Sequence, residues 1–230
     1  MFNRTVNRRL ALGCVAGPAV FTLAWAVLGF LSPGYHIHGA WIDSYDPAAQ
    51  PISGLGLGVT GPYMNTGFIL GGLLIVLGVA GVFGVVAADD PGHRPAAART
   101  AAVLLALSGV GLVVAGVFTL EHAGPHLLGF SVAAGMPVVA FPVAGRYLRG
   151  IPARRRFGTW LVAAGPLTLL LVIAYAVSFD QEQAGANQGV AGLTSRLLAL
   201  FVHVNIAALG VHAVRGSRRT EPAIRQAVAG

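Results

Sequence analysis

Apolar and polar residues alternate along this chain in long blocks, not in the short periods of an amphipathic helix or a half-buried strand. Each apolar block is long enough to cross a hydrocarbon core of about 30 Å as a helix. The blocks cover approximately residues 10–31, 63–88, 100–120, 127–148, 157–179 and 193–214. This pattern predicts an all-α polytopic membrane protein, with one domain over residues 1–230 built as a bundle of six transmembrane helices.

The first apolar block follows Arg4, Arg8 and Arg9, an arrangement also found before the apolar region of a secretory signal peptide. A signal peptide has an apolar region of about 7–15 residues and then a cleavage site with small residues. Here the apolar region spans residues 10–31, and no clean cleavage motif follows it. We therefore expect a retained first helix.

Every basic residue of the chain is an arginine, and the arginines lie almost entirely in four segments between or outside the apolar blocks. These segments are the N-terminus, residues 89–99, residues 146–156 and the tail after residue 214. Cytoplasmic loops carry an excess of arginine and lysine, so both termini are predicted to be cytoplasmic. We expect a bacterial inner (plasma) membrane protein with its functional face outside the cytoplasm, formed by the arginine-free outer loop 32–62. His93, in the second segment, is predicted to be solvated.

The composition supports a membrane location and argues against a nucleic-acid partner. Hydrophobic residues make up 55% of the chain and charged residues 10%, whereas soluble domains carry about 25% charged residues. The formal charge of +7 would suit a polyanion, but the arginines flank apolar blocks as topology signals do. The expected partner is membrane lipid, and glycine-rich helix faces allow a homo-oligomer. The single cysteine, Cys14, excludes an intramolecular disulfide.

The outer loop contains candidate metal ligands. His36 and His38 would point to the same side of an extended segment, and Asp43 follows them. Two imidazoles with a carboxylate can bind zinc or another divalent cation. The alternative is a polar, solvated loop. No other cofactor is predicted.

A second polar group lies in the short connection between the third and fourth blocks. Glu121, His122 and His126 are candidate acid, base or metal-binding groups, and Asp43 could join them from the outer loop. The alternative is a cluster of hydrogen bonds at the membrane interface.

Arg196 and His203 form the third polar group, at the start of the last block. Seven residues are about two helical turns, so both side chains are expected on one face of the helix. Arg196 departs from the arginine bias, which favours a role in holding an anionic group, while His203, Asn65 and Tyr175 would line the path beside it. The alternative has Arg196 paired with a carboxylate at the same end and His203 bonded to a carbonyl.

Four short motifs resemble the domain-of-unknown-function family 998, a family of prokaryotic proteins with about six membrane spans. They are PISGLG (51–56), GPYMNTGF (61–68), GVF (116–118) before Glu121 and His126, and GLTSRL (192–197). The resemblance covers most of the chain. It implies that Ser53, Asn65, His126 and Arg196 belong to one recurring outer-side pattern, and it implies no particular activity.

Three classes of function remain open from the sequence. The first is binding or moving a small amphiphile or lipid through an outward-facing polar vestibule, with Ser53 among the ligand-binding residues. The second is a membrane-embedded enzyme, a metal-dependent or acid/base hydrolase or cyclase acting on a lipid-like substrate. The third is a membrane scaffold or assembly partner. Whether the protein is an enzyme is not decided by any motif in the chain.

Overall fold

The structure, a computed structural model, describes residues 3–228 except residues 91 and 93, with side chains as far as residue 215. The prediction for His93 therefore lies outside the described residues. Eight helices are present in this part of the chain. They are α1 (Arg4–Ala11), α2 (Gly13–Leu28), α3 (Gly61–Ala88), α4 (Pro95–Val117), α5 (Ala123–Arg149), α6 (Arg155–Ser178), α7 (Gln181–Gly185) and α8 (Ala191–Val228).

The prediction of an all-α chain with six transmembrane helices is confirmed, because six helical stretches are long and apolar enough to cross a membrane. Each stretch begins two to seven residues before its predicted start. The first stretch runs over Arg4–Leu28, since α1 and α2 follow each other with only Leu12 between them. The side chain of Asn3 accepts a hydrogen bond from the Thr5 amide and so caps α1 ahead of the apolar block.

Consecutive helices pack closely through glycine pairs. A β-carbon on Gly109 of α4 would lie 2.6 Å from the carbonyl oxygen of Gly72 on α3. In the same way, a β-carbon on Gly145 of α5 would lie 2.6 Å from the carbonyl oxygen of Gly158 on α6. Such contacts bring helix backbones together in lipid, where packing replaces the hydrophobic driving force. Glycine-rich faces are therefore used inside this chain, and homo-oligomerisation stays a prediction.

Residues 29–60, called here the loop cap, close one end of the bundle, which we call the loop end. The cap begins with an antiparallel hairpin of β1 (Gly34–Ile37) and β2 (Ala40–Asp43). Two short 3₁₀ turns, Ile52–Gly56 and Gly58–Thr60, then lead into α3. Leu55 in the first turn is completely buried, so the cap packs into the helix ends.

Ion pairs hold the opposite end, which we call the arginine end. Asp89 follows α3 and pairs with both Arg4 and Arg154, at an N···O distance of 3.1 Å to Arg154. Arg154 also donates a hydrogen bond of 3.0 Å to the carbonyl of His212 on α8. The N-terminal helix, two connections and the last helix therefore meet at one end of the bundle. Which side of the membrane that end faces stays a prediction.

Candidate functional site

Arg196, on the first turns of α8, anchors the loop cap. Its Nη1 donates hydrogen bonds to the carbonyl oxygens of Pro47, Gln50 and Gly192 at 2.6, 3.0 and 2.9 Å. Its Nη2 donates to the hydroxyl of Tyr45 at 2.5 Å. Arg196 is only 8% exposed, so these neutral acceptors replace the water that its guanidinium would otherwise bind.

The turn that receives Arg196 is built by Asp46. Its Oδ1 accepts hydrogen bonds from the amides of Ala48 and Ala49 at 2.6 and 3.2 Å, as expected of an Asp that begins a turn. The carbonyls of the same two alanines accept from the amides of Leu193 and Gly192, at 2.9 and 3.0 Å. The turn therefore satisfies free amides of the first turn of α8 as well as the guanidinium.

These bonds bear on the predicted role of Arg196. Among the described residues, no carboxylate forms an ion pair with it, so the predicted alternative of a carboxylate partner is not what the structure contains. Its donors point at the cap, and binding of an anionic group by Arg196 stays a prediction. Burial raises the pKa of Tyr45, although the charge and hydrogen bond of Arg196 act in the opposite direction. Tyr45 is therefore a neutral phenol at neutral pH.

A cavity of about 70 Å³ lies beside this anchor at the loop end. A water molecule needs about 10–15 Å³ of such space, so the cavity has room for a few water molecules or for the polar end of a ligand. Most of the lining is apolar, and the polar side chains are those of Ser53, Tyr175, Ser195 and His203. The full lining is Phe21, Pro51, Ile52, Ser53, Phe68, Leu112, Ala115, Phe130, Ala133, Ala134, Tyr175, Ser195, Leu198, Ala199, Val202 and His203.

His203 is the most unusual group on the wall of this cavity. Its side chain is only 4% exposed, and neither ring nitrogen has a hydrogen-bond partner among the protein groups that the structure describes. The predicted alternative of a bond to a carbonyl is thus not observed. The imidazole packs edge-on against Phe21, with ring centres 5.0 Å apart and planes at 67°. A buried polar group without a hydrogen-bond partner lowers the stability of the fold by about 1–3 kcal/mol, so this imidazole is expected to destabilise the ligand-free protein.

His126, near the start of α5, joins the cap to the end of α4. Its Nδ1 lies 2.7 Å from the carbonyl oxygen of Phe118 and 3.1 Å from that of Ala115. Its Nε2 lies 2.9 Å from Oγ of Ser53. Carbonyl oxygens only accept, so the neutral ring carries its proton on Nδ1, and Nε2 accepts from the Ser53 hydroxyl; this tautomer is assigned from the hydrogen-bond network.

The four residues of the family pattern share one structural property, which is contact with the loop cap. Ser53 bonds to His126, and Arg196 bonds to the turn at residues 45–50. Asn65 on α3 donates from Nδ2 to the carbonyl of Gly56 at 3.1 Å. Asn65 and Arg196 do not line the cavity, whereas Ser53 does. The structure therefore brings Ser53, Tyr175 and His203 together at the cavity. His126 lies behind Ser53 and bonds to it, while Asn65 and Arg196 lie outside the cavity.

The hairpin histidines lie on the surface of the cap. His36 is exposed and packs against Trp41, with ring centres 4.8 Å apart. His38 is in the turn between the strands with a φ of 48°. Within the described part of the chain, no three His, Cys, Asp or Glu side chains are grouped to hold a metal ion. Metal binding by His36 and His38 stays a prediction, because the described residues do not group Asp43 or another such side chain with both of them.

Glu121 and His122 are exposed to solvent, whereas His126 is buried. Both lie on the exposed 3₁₀ turn Leu120–His122, where the His122 ring is near Phe118. His126 is 6% exposed and belongs to α5. No hydrogen bond described in the structure joins these three side chains to one another or to Asp43. Their combined acid/base role stays a prediction.

The residues that sequence reasoning missed are the cap partners of Arg196, namely Tyr45, Pro47 and Gln50. Gln50 is 1% exposed, and its amide nitrogen donates to Asn187 Oδ1 at 2.5 Å. One local signal was available, because Asp46-Pro47 is a turn-starting dipeptide. The identity of the helix that this turn contacts has no comparable signal in the sequence.

The fold and site define a six-span membrane protein with an anchored loop cap and, beneath it, a small and mostly apolar cavity with a few polar side chains. The family model described as "Protein of unknown function (DUF998)" matches residues 15–212, which covers most of the chain. The chain belongs to this family, as the short motifs predicted. Searches of curated proteins and of solved structures found no match.

Proposed function

We propose that this protein binds a small amphiphile or lipid whose one neutral polar group enters the cavity at the loop end, while its apolar body lies against the half-exposed residues at the cavity mouth. The observation that carries the proposal is His203, which is buried on the cavity wall with both ring nitrogens unbonded to the described protein groups. A ligand hydroxyl, carbonyl or similar group would remove the cost of burying this imidazole.

The lining supports an apolar ligand body. Three phenylalanines, Phe21, Phe68 and Phe130, contribute to the wall, and the remaining side chains are mostly small or aliphatic. Ligand sites commonly combine such a wall with a few polar groups that fix orientation. His203 can donate from one nitrogen and accept at the other when neutral, so it suits a hydroxyl or carbonyl better than a carboxylate.

The position of the cavity favours entry from the membrane. Half-exposed lining residues come from the cap, α5, α6 and α8, including Phe130, Tyr175 and Ala199. All lining residues of the helices lie in the halves nearer the loop end, so the cavity is one-sided and gives no continuous path across the bundle. Binding is therefore better supported than transfer through the bundle.

Native mass spectrometry of gently extracted protein tests the proposal. We expect an added mass on the wild type that is lost in Ala199→Leu, because the larger side chain fills the cavity. Ala208→Leu is the matched control, since Ala208 is also half-buried on α8 but does not line the cavity. Wild-type protein without added mass, or equal retention in both variants, would contradict binding at this site.

A further inference from the structure

The hydrogen bond between Ser53 and His126 has the geometry of a nucleophile and its base. The Oγ to Nε2 distance is 2.9 Å, within the range of about 2.6–3.2 Å found for such pairs. The Ser53 hydroxyl donates and Nε2 accepts, so the hydroxyl proton already points at the atom that would remove it. A serine hydroxyl is a weak nucleophile until a base takes this proton.

The base is held in place by the end of α4. The carbonyls of Ala115 and Phe118 accept from Nδ1 at 3.1 and 2.7 Å. In the usual triad a third group fixes the tautomer and orientation of the histidine and stabilises the imidazolium. Here two carbonyl dipoles fix the tautomer and face the ring that would become positive.

Ser53 also lies where a substrate could reach it. Its side chain is half-buried and lines the cavity, whereas Asn65, which also fastens the cap, bonds a backbone carbonyl and does not line the cavity. The wall that includes Ser53 also includes His203, whose ring has an N–H without a described acceptor. A neutral imidazole N–H is a donor that can stabilise the negative oxygen of an acyl-transfer intermediate.

We propose that Ser53 is an acyl-accepting nucleophile with His126 as its general base, acting on the ester of a long-chain, lipid-like substrate. The inference rests on the proposed function, because the ester end of an amphiphile must enter the cavity. Oγ attacks the ester carbonyl carbon while Nε2 takes the hydroxyl proton. The bond to the leaving alcohol then breaks, and that alcohol takes the proton from Nε2. Water hydrolyses the acyl-serine, with His126 taking a water proton and returning it to Oγ, which releases a carboxylic acid.

A long-chain alkyl fluorophosphonate tests this step on the full-length protein in detergent or nanodiscs. We expect one covalent adduct, located on Ser53 by peptide mapping, and none in Ser53→Ala. In His126→Gln the labelling rate should fall by about 10²-fold or more, the usual contribution of a general base.

Ser178→Ala is the matched control, because Ser178 is half-buried at the same end of the bundle but does not line the cavity, and its Oγ donates to the Tyr175 carbonyl at 3.0 Å. It should label at the wild-type rate. A wild type that gains no adduct, or an adduct that persists in Ser53→Ala, overturns the proposal. If the native mass spectra show a bound amphiphile while Ser53 remains unlabelled, binding stands and the catalytic step fails. Gel filtration of each variant confirms that it is folded.

Discussion

Arg196 and His203 are two buried polar residues on one helix, and they are used in opposite ways. Both lie on α8, 8% and 4% exposed, and each packs against an aromatic ring of α2. The Arg196 guanidinium carbon lies 5.4 Å from the Trp25 ring centre, and the His203 ring meets Phe21. Arg196 makes four hydrogen bonds with the cap and α8, whereas His203 makes none with the described protein groups.

The difference separates a structural polar residue from a candidate binding residue. A buried guanidinium whose Nη1 and Nη2 both donate to protein acceptors contributes to the position of the cap. A buried imidazole with free donor and acceptor capacity, facing a cavity, has a cost that a ligand can remove. Ionisable residues within membrane spans are functional candidates by default, and the partners of each one decide which kind it is.

The largest expected effect is on the anchor. Arg196→Leu removes the donor from the carbonyls of Pro47, Gln50 and Gly192 and from the Tyr45 hydroxyl. We expect the free energy of unfolding to fall by about 3 kcal/mol or more, since each buried group left without a partner costs about 1–3 kcal/mol. Thermal unfolding and limited proteolysis of the cap measure this loss.

Arg215→Leu is the control for the loss of an arginine from the same helix, because Arg215 is exposed. Its unfolding midpoint and cap proteolysis should match the wild type. If Arg196→Leu also left both unchanged, the anchor role would be wrong.

His203→Phe should change stability in the opposite direction. The substitution removes two unbonded nitrogens while an aromatic ring remains against Phe21. We expect the ligand-free protein to gain about 1–3 kcal/mol in free energy of unfolding, the cost of an unsatisfied buried polar group. Chemical denaturation in one detergent measures the gain. His212→Phe is the control, because His212 stacks on Phe157 away from the cavity. A clear loss of stability in His203→Phe would show that the imidazole has a protein partner.

The smallest expected effect on stability concerns Asp90, a hydrogen-bonded carboxylate at the arginine end. Burial acts to raise the pKa of Asp90, but amide hydrogen bonds from Gly92 and Arg94 and the Arg94 charge outweigh it and lower the pKa. A lowered folded pKa stabilises the protein above the unfolded value of about 4. That contribution is lost as the pH falls through the folded pKa.

Asp90→Asn should therefore lower stability by about 1 kcal/mol at neutral pH and flatten the fall in stability below about pH 4. Unfolding midpoints across the acid range measure both changes. If the unfolding midpoint of Asp90→Asn fell with decreasing pH as steeply as that of the wild type, Asp90 would not contribute to the loss of stability in acid.

The sequence predicted what depends on local periodicity. Apolar block length predicted six spans, and a spacing of seven residues predicted that Arg196 and His203 share a helix face. The hydrogen-bond partners of Arg196 and His126 were not predictable from the sequence. Pro47 is 149 residues from Arg196 along the chain, and Ser53 is 73 residues from His126. Such contacts depend on how the cap folds over the helix ends, and periodicity carries no information about that.

Photo-crosslinking with a diazirine-bearing long-chain alcohol most directly tests the claim that His203, and not Arg196, marks the ligand site. We expect crosslinks in the cavity-lining parts of α5 and α8, residues 130–134 and 198–203. They should be reduced in Ala199→Leu and His203→Phe and unchanged in Ala208→Leu. The claim would be contradicted by crosslinks that lie only in the cap around Arg196 or at lipid-facing positions and whose yield does not change in Ala199→Leu.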